Sequence, residues 1–126
     1  MTELTKAEEQ VMQILWKLEK GFVKDILAEM PEPKPAYNTV STIVRILESK
    51  GFAGHTAFGK SHLYHPEVSK EAYRTFTVNK VVTGYFGGSP AEMVSYFLKK
   101  EEISTAKLDE ILKLLGEDES SEDLNI

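Results

Sequence analysis

The stretch NTVSTIVRILESKGF, residues 38–52, decides the fold. Val40, Ile43, Val44 and Leu47 fall at i, i+3, i+4 and i+7, which is one stripe of an α-helix. Gly51 stands where a helix C′ residue belongs, so the spacing predicts a helix from about Tyr37 to Lys50. The opposite face carries Asn38, Ser41, Thr42, Arg45 and Ser49. A solvated helix face is usually built from Glu, Lys and Gln, which are strong helix formers. Short hydrogen-bonding side chains and one arginine suit base edges instead. Asn bonds adenine bidentately, Arg does the same with guanine, and a Thr methyl packs on the thymine methyl. Tyr37, Asn38, Thr39, Ser41, Thr42 and Arg45 are therefore the candidate base and phosphate contacts. The competing reading is an exposed helix face of unusual composition.

Two helices precede this one. Thr5 and Glu8 form a T-x-x-E capping box, so a helix starts there and runs to about Lys20, with Val11, Ile14, Leu15 and Leu18 inward and Gly21 ending it. FVKDILAEM repeats the period with Val23, Ile26, Leu27 and Met30. PEPKP then stops the helix, because proline removes the donor and clashes with the preceding turn. After the third helix comes FAGHTAFGKSHLYHP, two short runs around Gly59-Lys60, which reads as a β-hairpin with a tight turn. Three helices followed by a hairpin make a winged helix-turn-helix, in which the third helix enters the DNA major groove. Lys60, at the hairpin turn, is the candidate wing-tip phosphate contact; the alternative is that Gly-Lys simply suits a two-residue turn.

The second half has a different character. Ser69 can cap a helix from about Lys70 to Tyr85, GGSP breaks it, and Ser89, Pro90 and Glu92 signal another start. Ser104 caps a last helix that Gly116 is expected to end, followed by an acidic tail expected to be disordered. These helices are short, yet carry Val78, Val81, Val82, Tyr85, Met93, Val94, Phe97, Leu98, Leu108, Ile111, Leu112 and Leu115. Each large apolar side chain gains about 1.5–3 kcal/mol on burial, and a unit this small cannot hide them all. A second copy of the chain could. The expected architecture is mostly α: a winged helix-turn-helix over 1–68, a three-helix dimerisation lobe over 69–116 that forms a C2 homodimer, and a tail over 117–126.

Charge sharpens the picture. The formal net charge is −5, but residues 117–126 hold five acids and no base. Residues 34–66 hold Lys34, Arg45, Lys50 and Lys60 against Glu48 alone, so the one basic region contains the polar-faced helix. With no cysteine, the chain has no disulfide, thiolate metal site or cysteine nucleophile. No signal peptide is visible and no apolar run reaches the roughly 18 residues of a membrane span, so a soluble, cytoplasmic protein with no membrane insertion is expected. His55, His62 and His65 all lie in the hairpin, with His55 and His62 on one face. Two histidines without a Cys or carboxylate set do not make a structural zinc site, so no metal and no cofactor is expected. Trp16 reads as core or as the rim of the packing between the lobes. No nucleophile elbow, P-loop, zincin or dinucleotide motif is present, and FGGSP, which joins two apolar helices, reads as a helix-helix turn. An enzyme is not expected. The alternative to a DNA-binding repressor is a winged-helix protein-protein interaction module.

LTKAEEQVMQILW, YNTVSTIVRILESKGF, HTAFGKSHLYHPEVS and FGGSPAEMVSYFLKKEEIS together resemble the penicillinase repressor family of bacterial transcription repressors, over residues 4 to about 115. The resemblance implies a homodimer bound to double-stranded operator DNA with an inverted repeat, repressing a resistance or stress operon. It also implies release in the antibiotic branch, where a membrane-bound sensor protease is linked to cleavage of the dimerisation lobe. The cleaved bond in the family is Asn-Phe; the matching positions here are Tyr96 and Phe97, with the Phe kept and the Asn replaced. The copper branch carries C-terminal cysteine pairs, which this chain lacks.

Overall fold

The computed structural model describes residues 1–100 and 104–122, with side chains through Leu114. The order is α1 (Lys6–Leu18), α2 (Val23–Ala28), α3 (Tyr37–Ser49), β1 (Ala53–Phe58), β2 (Ser61–Pro66), α4 (Lys70–Tyr85), α5 (Pro90–Lys100) and α6 (Thr105–Glu122). Two compact units result, Met1–Asn79 and Lys80–Ile126.

In the first unit, α1 begins with the capping box. The Thr5 amide donates to Glu8 Oε1 at 2.9 Å, and the Glu8 amide donates to Thr5 Oγ1 at 3.2 Å. Val11, Met12 and Leu15 from α1, Ile26 from α2, and Val40, Val44 and Leu47 from α3 are fully buried. The three amphipathic stripes meet there, and Phe52, Tyr64 and Tyr73 complete the core. α3 ends in a Schellman motif. The Phe52 amide donates to the Leu47 carbonyl at 2.9 Å and the Gly51 amide to the Glu48 carbonyl at 3.0 Å, with Gly51 at φ 83°. β1 and β2 pair antiparallel with Phe58 opposite Ser61, so Gly59 and Lys60 form the turn.

Gly21 does not end α1. The helix stops at Leu18, Glu19 takes the positive φ (69°), and Gly21 pairs with Tyr64 by two backbone bonds of 2.9 Å. A Cβ at Gly21 would lie 3.3 Å from Leu18 Cδ1 and 3.4 Å from Asp25 Cβ, so close approach, rather than helix capping, is what glycine serves here.

The division between units falls inside α4, beyond the 68/69 boundary read from the sequence. Ser69 caps α4 through a 3.0 Å bond from the Ala72 amide. The first half of the helix then joins the first unit's core: the Leu4 amide donates to the Tyr73 hydroxyl at 2.9 Å, and Phe76 packs on the same cluster. Trp16 lies at the edge of this core, its Nε1–H donating to the Val68 carbonyl at 2.9 Å.

In the second unit, Gly87 and Gly88 take φ of 57° and 81°, and Ser89 and Ser104 cap α5 and α6. No helix among the described residues is long and apolar enough to cross a membrane. α6 continues through Gly116 to Glu122, where the sequence reading ended it at Gly116. Glycine inside a helix costs about 1 kcal/mol relative to alanine and does not by itself stop it, and the glutamates that follow are good helix formers. Of the tail read as disordered, 117–122 are therefore helical backbone, and residues 123–126 lie outside the described residues.

Candidate nucleic-acid interface

α3 presents its polar face to solvent. Tyr37 is 53% exposed, Asn38, Thr39, Thr42 and Arg45 are exposed, and Ser41 is half-buried. Local bonds organise this face. Thr42 Oγ1 donates to the Asn38 carbonyl at 2.9 Å, and Arg45 Nη2 donates to Ser41 Oγ at 3.2 Å. The arginine thus lies along the helix, one turn toward its start. α3 opens with Ala36 at the N-cap, no side-chain cap and no acid in its first turn. The first amides of a helix have no intrahelical acceptor, so this end offers donors to an outside anion.

The basic region does not survive as the sequence drew it. Lys50 Nζ contacts both Glu8 carboxylate oxygens at 2.9 Å, and the Glu8 side chain is only 7% exposed. Burial raises the Glu8 carboxyl, but the Thr5 amide and the Lys50 ammonium outweigh it and hold the group below the usual carboxylate range. Lys34 donates to the carbonyls of Leu27, Ala28 and Met30 at 2.8–3.2 Å, tying down the end of α2. Both lysines serve the fold. Arg45 and Lys60 remain, and Lys24 of α2, absent from the sequence reading, joins them.

These three cations line a cleft of about 470 Å³ between α2, α3 and the hairpin. Phe22 and Lys24 come from the start of α2, Tyr37, Ser41 and Arg45 from α3, and Lys60, His62 and Tyr64 from the turn and β2. Phe22 meets Phe58 edge-on at 6.2 Å, and Lys24 Nζ lies 6.0 Å from the centre of the Phe22 ring. Of the predicted contact residues, the cleft collects Tyr37, Ser41, Arg45 and Lys60, while Asn38, Thr39 and Thr42 lie on α3 outside it. No local pattern marked Lys24; the signal available was its place on α2, the helix before α3.

His55 and His62 stack at 4.0 Å with planes 6° apart, and Glu48 of α3 bonds His55 Nδ1. His65 pairs instead with Glu67 at 2.8 Å. This stack ties the hairpin to α3. Burial pushes the Tyr64 hydroxyl above its ordinary value, Glu48 adds to the shift and Arg45 opposes it, so the phenol stays protonated.

In the second unit and the α4 turn before it, apolar side chains lie open. Val78, Val81, Tyr85, Val94, Phe97, Leu98, Leu108, Ile111 and Leu112 are 37–84% exposed. Met93 is half-buried. Val82 differs: at 6% exposure it is already covered within its own chain. Leu115 lies outside the described side chains. Tyr96 and Phe97 are 48% and 49% exposed, and the Tyr96 ring rests on Phe86 at 5.6 Å.

Comparison with known proteins places these features. A family model described as penicillinase repressor matches residues 4–117. The chain is similar to a penicillinase repressor of Bacillus licheniformis, 22% identical over 116 residues and covering 91% of each chain. It is also similar to the methicillin resistance regulatory protein MecI of Staphylococcus aureus strain N315, 24% identical over 115 residues and covering 90% of this chain and 94% of the relative. A solved CopR repressor is 29% identical with a TM-score of 0.44, covering 52% of this chain and 96% of that one. With a mostly helical winged fold, an exposed polar face on α3 and a family match across nearly its whole length, the chain belongs to the penicillinase repressor family of DNA-binding transcriptional repressors, not to the enzymes.

Proposed function

We propose that the chain is a cytoplasmic homodimer that binds an inverted-repeat operator, one winged unit per half-site, and represses a resistance or stress operon. The observation that carries this is the polar face of α3, which starts without a side-chain cap or an acid and runs into a cation-lined cleft under the wing. Asn38 and Arg45 read base edges, Thr39 and Thr42 offer methyl contacts, Tyr37 and Ser41 bond phosphates, and Lys60 positions the wing. The apolar surface of residues 78–112 supports the dimer. Linking two winged units makes the second half-site contact intramolecular, so weakening the dimer costs more affinity than losing one phosphate contact. The names of the relatives, a penicillinase repressor and a methicillin resistance regulator, support a resistance operon.

Release is proposed by a membrane-bound sensor protease at the Tyr96–Phe97 bond, whose side chains are both half-exposed. A cut there severs α6 and the end of α5 from the rest of the chain. The test of the core reading is selection of bound duplexes from a random pool. A two-fold symmetric consensus is expected, and an enriched pool without symmetry, or no enrichment, refutes it.

A further inference from the structure

The cleft under the wing gathers Tyr37, Ser41, Arg45 and Lys60, assigned above to DNA, together with Lys24, which has no role there. Its volume of about 470 Å³ lies within the roughly 300–1,000 Å³ typical of small-molecule sites. Its cations come from three separate elements, Lys24 from α2, Arg45 from α3 and Lys60 from the hairpin turn. No carboxylate lines it among the described residues, in a chain whose net charge is −5. Among the described residues Arg45 bonds the neutral Ser41 hydroxyl and Lys24 faces an aromatic ring, and neither contact cancels a charge. Lys34 and Lys50 are spent on carbonyls and a carboxylate, which makes the unspent set in the cleft distinctive. The walls also carry the rings of Phe22, Tyr37, His62 and Tyr64.

We propose that this cleft binds a small organic phosphate, a dianionic head on a planar ring, and that the occupied cleft excludes DNA from α3. Lysine supplies point charges to the head, and the planar Arg45 fork matches two phosphate oxygens. The Tyr37 ring, 53% exposed at the mouth of the cleft, stacks on the tail. Tyr37, Ser41 and Arg45 serve both ligands, so the two compete. The competition, though not the anion site itself, rests on the DNA-binding reading above. A DNA backbone phosphate has the same chemistry as the head group, and the experiment separates the two sources.

The full chain, ¹⁵N-labelled, is titrated with phenyl phosphate and with inorganic phosphate at constant ionic strength. Saturable amide shifts confined to Phe22–Lys24, Tyr37–Arg45 and Lys60–Tyr64 are expected. Phenyl phosphate should bind roughly threefold or more tighter than inorganic phosphate, the gain of one ring-stacking contact. Lys24→Ala, at an exposed position, should weaken both by about fivefold, as loss of one charge-assisted contact does. Shifts that never saturate, shifts spread over the surface, or unchanged affinity in Lys24→Ala overturn the site. In a second arm, fluorescence anisotropy follows a random-sequence duplex at low salt with and without phenyl phosphate. Competition in proportion to occupancy is expected, and duplex binding untouched at saturating phenyl phosphate overturns the exclusion. Saturable phenyl phosphate binding with no duplex binding supports the anion site and sinks the repressor reading. Duplex binding whose salt slope falls by about 0.9 in Lys24→Ala, without any free-anion binding, gives the cleft to the DNA backbone alone and overturns the proposal.

Discussion

Lys50 and Lys60 are both lysines of the basic region, yet the structure assigns them opposite consequences. Lys60 is exposed at the hairpin turn with no carboxylate among its neighbours in the cleft. Lys60→Ala should leave stability within about 0.5 kcal/mol, the ordinary range for a surface substitution. It should weaken DNA binding uniformly across sequences and reduce the slope of log K against log salt by about 0.9, one phosphate contact. Lys50 instead spans 42 positions of sequence to reach Glu8, whose side chain is 7% exposed. Removing the partner of a fully buried charge costs about 3–5 kcal/mol. Here the ammonium is 33% exposed and Thr5 still bonds the carboxylate, so screening and the remaining bonds reduce the figure to about 2 kcal/mol. The salt slope of Lys50→Ala should stay at the wild-type value.

Urea unfolding followed by Trp16, the one tryptophan and part of the first unit, reads the stability; anisotropy at several salt concentrations reads the slope. The pH dependence gives a further check. The Glu8 carboxyl sits below its ordinary value of 4.5, so its contribution is complete above that value and is lost as pH falls through the lower folded one. In Lys50→Ala, burial acts with less opposition and the carboxyl protonates at higher pH. The stability gap between the two proteins should therefore be full near neutrality and shrink in acid, from where the variant's carboxyl takes up its proton down through the lowered wild-type value. A Lys50→Ala protein of normal stability that loses salt slope as Lys60→Ala does would refute the reasoning.

Three other outcomes follow from the same geometry. Arg45→Ala should cost about 1–3 kcal/mol on the selected operator and relax preference at one base position, measured by repeating the selection with the variant. Tyr73→Phe removes the acceptor of the buried Leu4 amide and should cost about 1–3 kcal/mol in urea unfolding, with DNA affinity unchanged under native conditions. Phe97→Asp places a charge on the open apolar surface of α5 and should shift sedimentation toward monomer while leaving thermal unfolding of the Trp16 unit in place; a dimer of undiminished affinity would remove this face from the interface.

The elements of the winged unit were legible because their signals are local. The Thr5–Glu8 box, the Val40–Leu47 stripe, Gly51 at φ 83° and the Gly59-Lys60 turn each act over a few residues, and the chain folds there as those residues dictate. The surplus of apolar side chains after residue 77 was legible for the same reason, since it is a matter of composition against size. Gly116 misled because glycine stops a helix only where the chain turns into the left-handed region, and nothing local says that it will.

By itself, the sequence determined the order of helices and hairpin, the polar face of α3 and the motifs that carry the family resemblance. Tertiary structure alone decided which charges remain available to a ligand. Lys50 finds Glu8, Lys34 finds the end of α2, and Lys24 arrives beside Arg45 and Lys60. It likewise decided that Gly21 pairs with Tyr64 and that Tyr73 receives the Leu4 amide across 69 positions of sequence. The physical reason is range. Periodicity, capping and turn chemistry act between neighbours along the chain, whereas an ion pair depends on distance through space, which is set only once the core has closed.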